Sequence, residues 1–390
     1  MTQHMDERAP RTTSATSPTG RRLPLLDVLR GAAILGTLMT NVWIFTGPGG
    51  EWGALLSGSS AGAVEATFGV LANGKFLSLL TILFGVGLAI QYASAARRGQ
   101  PWPGRYRWRA LFLFGEGTVH FVLVFAWDVL MGYAVTALVV AWLLNRSERA
   151  RRRVMWWAAG IHLTLMALFT AALALTGDEA DGDTAVSREV VDLYAHGGYP
   201  DQIAFRLENA IALRMEPVLT FFLLLFLFLL GVRLFRAGAF GADETGRRLR
   251  SRLLLWGVGL GLPLNVAATL AGQEFFFLAR YVTAPLLALG YIGLIGAVVD
   301  RVRRPGPLMT GLTSVGRTAL SGYVLQNVLC VLVSYGIGLG LAERLRDSGP
   351  WWVVGLWATV CAVLMVGSTL WLRRFAAGPL EAVQKWALRR

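Results

Sequence analysis

Apolar residues run in stretches of about 20 along most of the chain, each long enough to cross a hydrocarbon layer roughly 30 Å thick. Ten such runs stand out, near 23–45, 70–92, 107–125, 127–145, 154–176, 214–236, 251–271, 276–299, 317–341 and 351–372. They predict an all-α fold, a polytopic membrane bundle of about ten transmembrane helices.

The polar residues between the runs are unevenly placed. Most of the 37 Lys and Arg residues fall in every second gap: Arg8 to Arg22, Arg97 to Arg109, Arg146 to Arg153, Arg233 to Arg252, Arg301 to Arg317, and Arg373 to Arg390. Positive charge is retained on the cytoplasmic side of membranes. Both termini are therefore expected in the cytoplasm, with the protein spanning a bacterial cytoplasmic (plasma) membrane many times. The longest gap on the other side, 177–213, carries Asp178, Glu179, Asp181, Asp183, Glu189, Asp192, Asp201 and Glu208. It reads as an acidic extracytoplasmic connector, a solvated loop between two transmembrane halves at 21–176 and 214–390. Residues 1–20 are rich in Ser, Thr, Pro and Arg and read as a disordered cytoplasmic tail. The first apolar run lacks a small-residue cleavage site and is expected to be a retained helix.

Composition agrees with this reading. Hydrophobic residues make up 55% and charged residues 16%, against about 25% charged in soluble domains. The net charge of +13 lies in the topology-setting clusters, so the expected partner is the lipid bilayer and not a nucleic acid. Cys330 and Cys361 both lie inside apolar runs without metal-ligand spacing. No metal site and no tightly bound cofactor is expected.

The candidate chemistry lies where polar groups interrupt the runs. LFLFGEGTVHFVLVFAWDVLMGYA, residues 111–134, places Glu116, His120 and Asp128 in an otherwise lipid-compatible stretch. An ionised group at the bilayer centre costs roughly 2.5–3.5 kcal/mol on insertion scales. Glu116 and His120 are four apart and share a helix face, and the short turn before Asp128 makes the two spans antiparallel neighbours. His120 and Asp128 are thus expected to meet near the outer end of the bundle, around a wet vestibule. A carboxylate beside an imidazole is the arrangement of a general base with an orienting acid. Two blander roles compete, an interhelical bond for His120 and a helix N-cap for Asp128.

Other interruptions are Asp27 and Arg30 on one face of the first span, Asn41 near its outer end, Lys75 opening the second, and Arg280 opening the eighth. SGYVLQN in the ninth carries Tyr323, Gln326 and Asn327 to mid-membrane. Arg30 suits an anionic group entering from the cytoplasm, or a local pair with Asp27. Lys75, Arg280 and Glu216 suit either substrate contacts or snorkelling at the interface, with Arg280 near Glu274 and Glu216 beside Arg214. Gln326 and Asn327 suit interhelical bonding or a substrate path. His162 reads as packing. GVGLG at 257–261 lacks the Lys-Ser or Lys-Thr of a phosphate loop.

Several of these motifs together carry a resemblance. LDVLRGAAILGTLMTNVWIF (26–45), GKFLSLLTILFGVGLAI (74–90), GEGTVHFVLVFAWDVLMGYA (115–134), GRTALSGYVLQNVLCVLVSYGIGLGL (316–341) and GPLE (378–381) resemble the YeiB-like family of bacterial membrane proteins and its C-terminal domain of unknown function 418. Trp127 stands where that family commonly has Gly before Asp128. The Asp27, Arg30 and Gly31 opening is also similar to that of transmembrane acyltransferases. That likeness implies transfer of an acyl group from cytosolic acyl-coenzyme A, as co-substrate, to an extracytoplasmic acceptor such as a glycan or lipid. Those enzymes commonly carry a His near the end of their first span, where this chain has Asn41. The likeness therefore implies His120 as base or acyl carrier, with Asp128 orienting it, Glu116 beside it and Asn41 placing the acceptor. A proton-coupled transporter using the same groups is the alternative of a different class, and a non-catalytic membrane scaffold is the third. Oligomeric state is not legible.

Overall fold

The computed structural model describes residues 23–56, 62–176 and 186–388. Among them every regular element is helical. The first half contains α1 (Pro24–Thr46), α2 (Gly50–Leu56), α3 (Ala63–Ala72), α4 (Lys75–Arg97), α5 (Tyr106–Leu123), α6 (Leu130–Leu143) and α7 (Glu148–Thr176). Two short helices follow, α8 (Arg188–Ala195) and α9 (Tyr199–Glu208). The second half has α10 (Ala210–Leu213), α11 (Met215–Leu219), α12 (Phe221–Arg236), α13 (Glu244–Gly259), α14 (Gly261–Leu270), α15 (Phe276–Leu278) and α16 (Ala284–Arg301). It closes with α17 (Pro307–Arg317), α18 (Ala319–Ser334), α19 (Leu341–Arg344), α20 (Trp351–Arg374) and α21 (Pro379–Ala387). The tail at 1–20 lies outside the described residues.

All ten apolar runs contain helix. Among the described residues, six helical stretches are long and apolar enough to cross a membrane, and α6 and α18 are shorter apolar helices. The chain is a polytopic helical bundle. Its long helices differ from the expected runs where the backbone is interrupted. The second run is helical from Ala63 but breaks at Asn73–Gly74. Gly74 has φ +75°, and a Cβ there would lie 2.3 Å from the Arg280 carbonyl, so only glycine fits this elbow. The seventh run breaks at Leu260, and the eighth opens through a π-turn at Ala279–Thr283 that contains Arg280. In a membrane, such interruptions are tolerated where protein or water satisfies the freed backbone groups.

The main core joins α1, α4, α6, α7, α12 and α16, and a second cluster joins α1, α18 and α20. Helices α4 and α12 touch backbone to backbone: a Cβ at Gly85 would lie 2.1 Å from the Phe228 carbonyl, and one at Gly231 2.1 Å from that of Ile82. Small residues allow this approach, and it maximises dispersion where no hydrophobic effect drives association. The amphipathic α17, absent from the expected spans, packs on the start of α1, with Gly31 against the Leu312 carbonyl and Gly316 against that of Asp27.

The described part of 177–213 is not a solvated loop. Helices α8 and α9 fold onto the end of the bundle expected to face outward. Ser187 caps α8 through the Val190 amide. Tyr199 Oη donates to the Leu123 carbonyl (2.6 Å), and the Gly336 amide donates to that of Tyr194 (3.0 Å). Arg206 and Glu51, both fully buried, form an ion pair at 3.5 Å. Sequence acidity suggested solvent, but the apolar faces of these short helices find partners in the α5–α6 turn and the end of α18. Residues 177–185, with Asp178 to Asp183, lie outside the described residues.

Candidate functional site

Asp128 performs two of the roles weighed from the sequence at once, one with each oxygen. The chain leaves α5 after Leu123, turns through 124–129 and enters α6 at Leu130. Asp128 Oδ2 accepts from the Leu130 (2.9 Å) and Met131 (3.3 Å) amides, capping α6. Its Oδ1 lies 3.0 Å from His120 Nδ1. One turn below His120, Gly117 makes room for this cap. A Cβ there would stand 2.6 Å from Asp128 Oδ2 and 2.8 Å from the Met131 nitrogen. Gly117→Ala is expected to lower stability by about 1–3 kcal/mol through overpacking. Thermal denaturation of the purified protein checks this, and an unchanged midpoint would show that the turn is loose.

The other side of the imidazole is held by α18. Asn327 Nδ2 is 3.3 Å from His120 Nε2, and Tyr323 Oη donates to Asp128 Oδ1 at 3.4 Å. The Tyr323 ring stands edge-on to the imidazole, 5.2 Å between centroids. Donation from the Asn327 amide requires Nε2 unprotonated, with the proton on Nδ1 facing Asp128. An amide flip would present Asn327 Oδ1, which has no hydrogen-bond partner among the described residues, to a protonated Nε2. The Asn327 side chain is therefore suited to either state of the ring. The Arg214 guanidinium lies 4.7 Å from the Phe121 ring centroid, near enough to Asp128 to interact with its charge.

This group does not open on a vestibule. The His120 and Asp128 side chains are 1% and 0% exposed, because α18 covers the face that sequence reasoning left open. Tyr323 also lines a small mixed cavity of about 40 Å³, together with Asn41, Leu77, Leu80, Glu216 and Arg280 among others. It has room for roughly three waters. Trp127 and Val129, on either side of Asp128, form part of its wall. Asn41 thus shares this cavity with Tyr323, whose hydroxyl reaches Asp128.

Arg280 and Glu216 are not separate interfacial snorkels. Arg280 Nη2 lies 2.9 Å from Glu216 Oε1, which also accepts from Tyr281 Oη at 2.8 Å, and Arg280 Nε donates to Tyr281 Oη at 3.0 Å. Arg280 also bonds the Asn73 side chain at the α3–α4 elbow. The pair links residues 64 apart, so neighbours in sequence such as Glu274 and Arg214 gave the wrong partners. Lys75, 1% exposed, donates to the Gly69 carbonyl at 3.2 Å.

The remaining candidates are dispersed. Arg30 pairs with Asp27 at 3.2 Å on α1, about 16 Å along the helix from Asn41 by helical rise. Glu116 has both carboxylate oxygens buried without a hydrogen-bond partner among the described residues, within range of the charges of Asp128 and Glu381. Gln326 is fully buried, also without side-chain partners among the described residues. His162 Nε2 meets the Tyr281 carbonyl at 2.9 Å and ties α7 to the π-turn.

Sequence reasoning missed Glu381. Its Oε1 accepts from the Leu320 (2.8 Å) and Ser321 (3.4 Å) amides, and its Oε2 from Ser321 Oγ (2.6 Å). It thereby caps α18, the helix that carries Tyr323 and Asn327. GPLE was visible as a motif, but its partner lies 60 residues away. Glu381→Ala is expected to cost about 0.5–2 kcal/mol, the worth of an N-cap, and to release α21. Limited proteolysis after Gly378 reads this out, and equal cleavage of variant and wild type would contradict it.

Residues 234–390 match the family described as protein of unknown function DUF418. Over 388 residues the chain is 28% identical to the uncharacterized protein YxaH of Bacillus subtilis, covering 93% of each. Over 394 residues it is 27% identical to the uncharacterized protein YeiB of Escherichia coli, covering 91% of this chain and 93% of that one. Along nearly its whole length the chain is similar to YeiB-like proteins. A third relative, an uncharacterized 39.9 kDa protein of Bacillus acidopullulyticus, is 24% identical over 369 residues. The site crosses the edge of the matched segment: Arg280, Tyr323, Asn327 and Glu381 lie within residues 234–390, while Asn41, His120, Asp128 and Glu216 precede them.

Proposed function

We propose that this membrane protein transfers an acyl group from cytosolic acyl-coenzyme A to a hydroxyl of an extracytoplasmic acceptor, such as a glycan or lipid, in a bacterial cytoplasmic membrane. The observation that carries this reading is the contact of His120 Nδ1 with Asp128 Oδ1 at 3.0 Å. A carboxylate at Nδ1 fixes the tautomer and leaves Nε2 as a base. Asn327 stands at Nε2 as an N–H donor, where an acceptor hydroxyl would stand during reaction. Its displacement is the opening step, since the ring is otherwise enclosed.

With the acceptor in place, Nε2 takes the hydroxyl proton as oxygen attacks the thioester carbonyl. The C–O bond forms, the C–S bond breaks, and the imidazolium returns its proton to the departing thiolate. Asp128 stabilises the imidazolium between these steps. Arg30 holds a coenzyme phosphate at the basic end of the bundle, exchanging its contact with Asp27 for the ligand. Proteoliposomes given labelled acetyl-coenzyme A and envelope glycan extracts test this: label on the glycan together with free coenzyme thiol supports it. Consumption of neither would overturn it.

A second reading, proton-coupled transport, is favoured by Glu116. This buried carboxylate, without a hydrogen-bond partner among the described residues and near both Asp128 and Glu381, suits a relay of protons. In the same vesicles a transporter moves substrate without covalent change.

A further inference from the structure

One exposed face of α7 carries a graded stripe of basic, aromatic and small residues. Arg149, Arg152, Arg153, Trp156 and Trp157 follow the spacing i, i+3, i+4, i+7, i+8, which places all five on a single helical stripe. They line a surface groove of about 500 Å³, and all five side chains are exposed. Among the described residues none of the three arginines has an ion pair, a hydrogen bond from its side chain or an aromatic ring beneath it, whereas their neighbour Arg151 is tied to the Leu144 carbonyl. Glu148, also on α7, is the nearby acid; Arg236 adds positive charge from α12. Trp156 is seated against Phe226 of α12, 6.2 Å between ring centroids. Trp157 stands 71% exposed.

Further along the same face come Gly160, Thr164 and Ala167, all exposed, and nothing lies within 4 Å of where a Gly160 Cβ would be. The stripe is therefore graded: guanidinium groups, then indoles about 10 Å further along by helical rise, then a trough of small residues. A phospholipid has the same order, with a phosphate, then ester-linked glycerol at the depth where Trp rings settle, then acyl chains. Arginine forks bind phosphate oxygens in pairs, and a zwitterionic headgroup would bring its own ammonium against three unpaired cations.

The geometry points to a binding site for one anionic glycerophospholipid on this face of α7. Its phosphate is held by Arg149, Arg152 and Arg153, its glycerol region by Trp156 and Trp157, and one acyl chain lies along Gly160. The inference is independent of the acyl-transfer reading, because α7 supplies none of the His120 group.

Native mass spectrometry of the detergent-purified full chain tests it, with phosphatidylglycerol and phosphatidylcholine of the same acyl chains as probes. Wild type is expected to retain phosphatidylglycerol over phosphatidylcholine by on the order of ten-fold or more. Arg149→Gln/Arg152→Gln/Arg153→Gln is expected to lose that preference. Arg97→Gln/Arg98→Gln/Arg105→Gln, which removes the same charge from another exposed basic cluster, is expected to keep it. Trp157→Ala, which leaves every topology-setting charge in place, is expected to weaken retention several-fold. Equal loss in both triple variants would reduce the effect to general charge attraction and overturn the site. So would full retention in the first triple variant, and so would displacement of the lipid by millimolar inorganic phosphate, which would mark a bare anion site.

Discussion

His120→Ala is expected to lower the proposed acyl transfer by about 10²–10⁴-fold, the usual worth of a positioned general base, while leaving the proposed coenzyme binding little changed. Asp128→Asn gives a loss of similar size for a different reason. An amide at that position can present its N–H to Nδ1, which reverses the tautomer and places the proton on Nε2. The two effects are not additive, since both remove one unit. Because Asp128 also caps α6 through the Leu130 and Met131 amides, its substitution carries a folding cost that His120→Ala lacks. Thermal midpoints measured beside the rates separate the contributions. Asn327→Ala distinguishes the parts of the site further. If Asn327 only occupies the acceptor's place, its removal leaves turnover intact or raises it. Unchanged transfer to every acceptor in His120→Ala would dismiss the imidazole as the base. In the transport reading the same variant stops substrate-driven proton movement.

Arg206→Ala is the substitution with the largest expected cost in stability. Glu51 and Arg206 are both 0% exposed, and Glu51 also accepts from the Ala126 amide (3.3 Å) and from Tyr335 Oη (3.1 Å). Arg206 in turn donates to the Val122 carbonyl at 3.3 Å. Removing the cation leaves a buried carboxylate without a counter-charge, which costs about 3–5 kcal/mol. Arg206→Met/Glu51→Gln removes both charges and recovers most of that loss, because a buried pair contributes little beyond its own desolvation. The consequence extends to the site: Glu51 and Arg206 together fix residues 122–126, and Asp128 follows two residues later. Denaturation midpoints of the single and double variants decide the matter. A single variant as stable as wild type, or a double variant no better than the single, would show that water reaches Glu51.

Much of the architecture was legible in advance because lipid imposes a length and a polarity on each crossing segment. The approach of His120 to Asp128 could be anticipated for a local reason, since eight residues and one tight turn leave few alternatives. Arg280 and Glu216 illustrate the opposite case. Each had a nearer opposite charge in sequence, yet the elbow at Gly74 and the π-turn at Ala279–Thr283 brought them together across the bundle. Lys75 and Gln326 were marked as unusual for their depth, but nothing in their own segments indicated what surrounds them. The external segment was misread because acidity describes one face of a helix, whereas burial depends on what meets the other.

The sequence by itself determined the class of this protein, the approximate position of each long apolar helix, and the positions where polarity is costly enough to need compensation. These follow from one-dimensional quantities, hydropathy and charge. The tertiary structure alone decided that α18 closes over the imidazole, that Glu381 fixes the start of that helix, and that α8 and α9 cover the α5–α6 turn. Those contacts join segments 60 to 207 residues apart, where the cost of bringing the chain together is repaid only by packing and hydrogen bonds that no single segment contains.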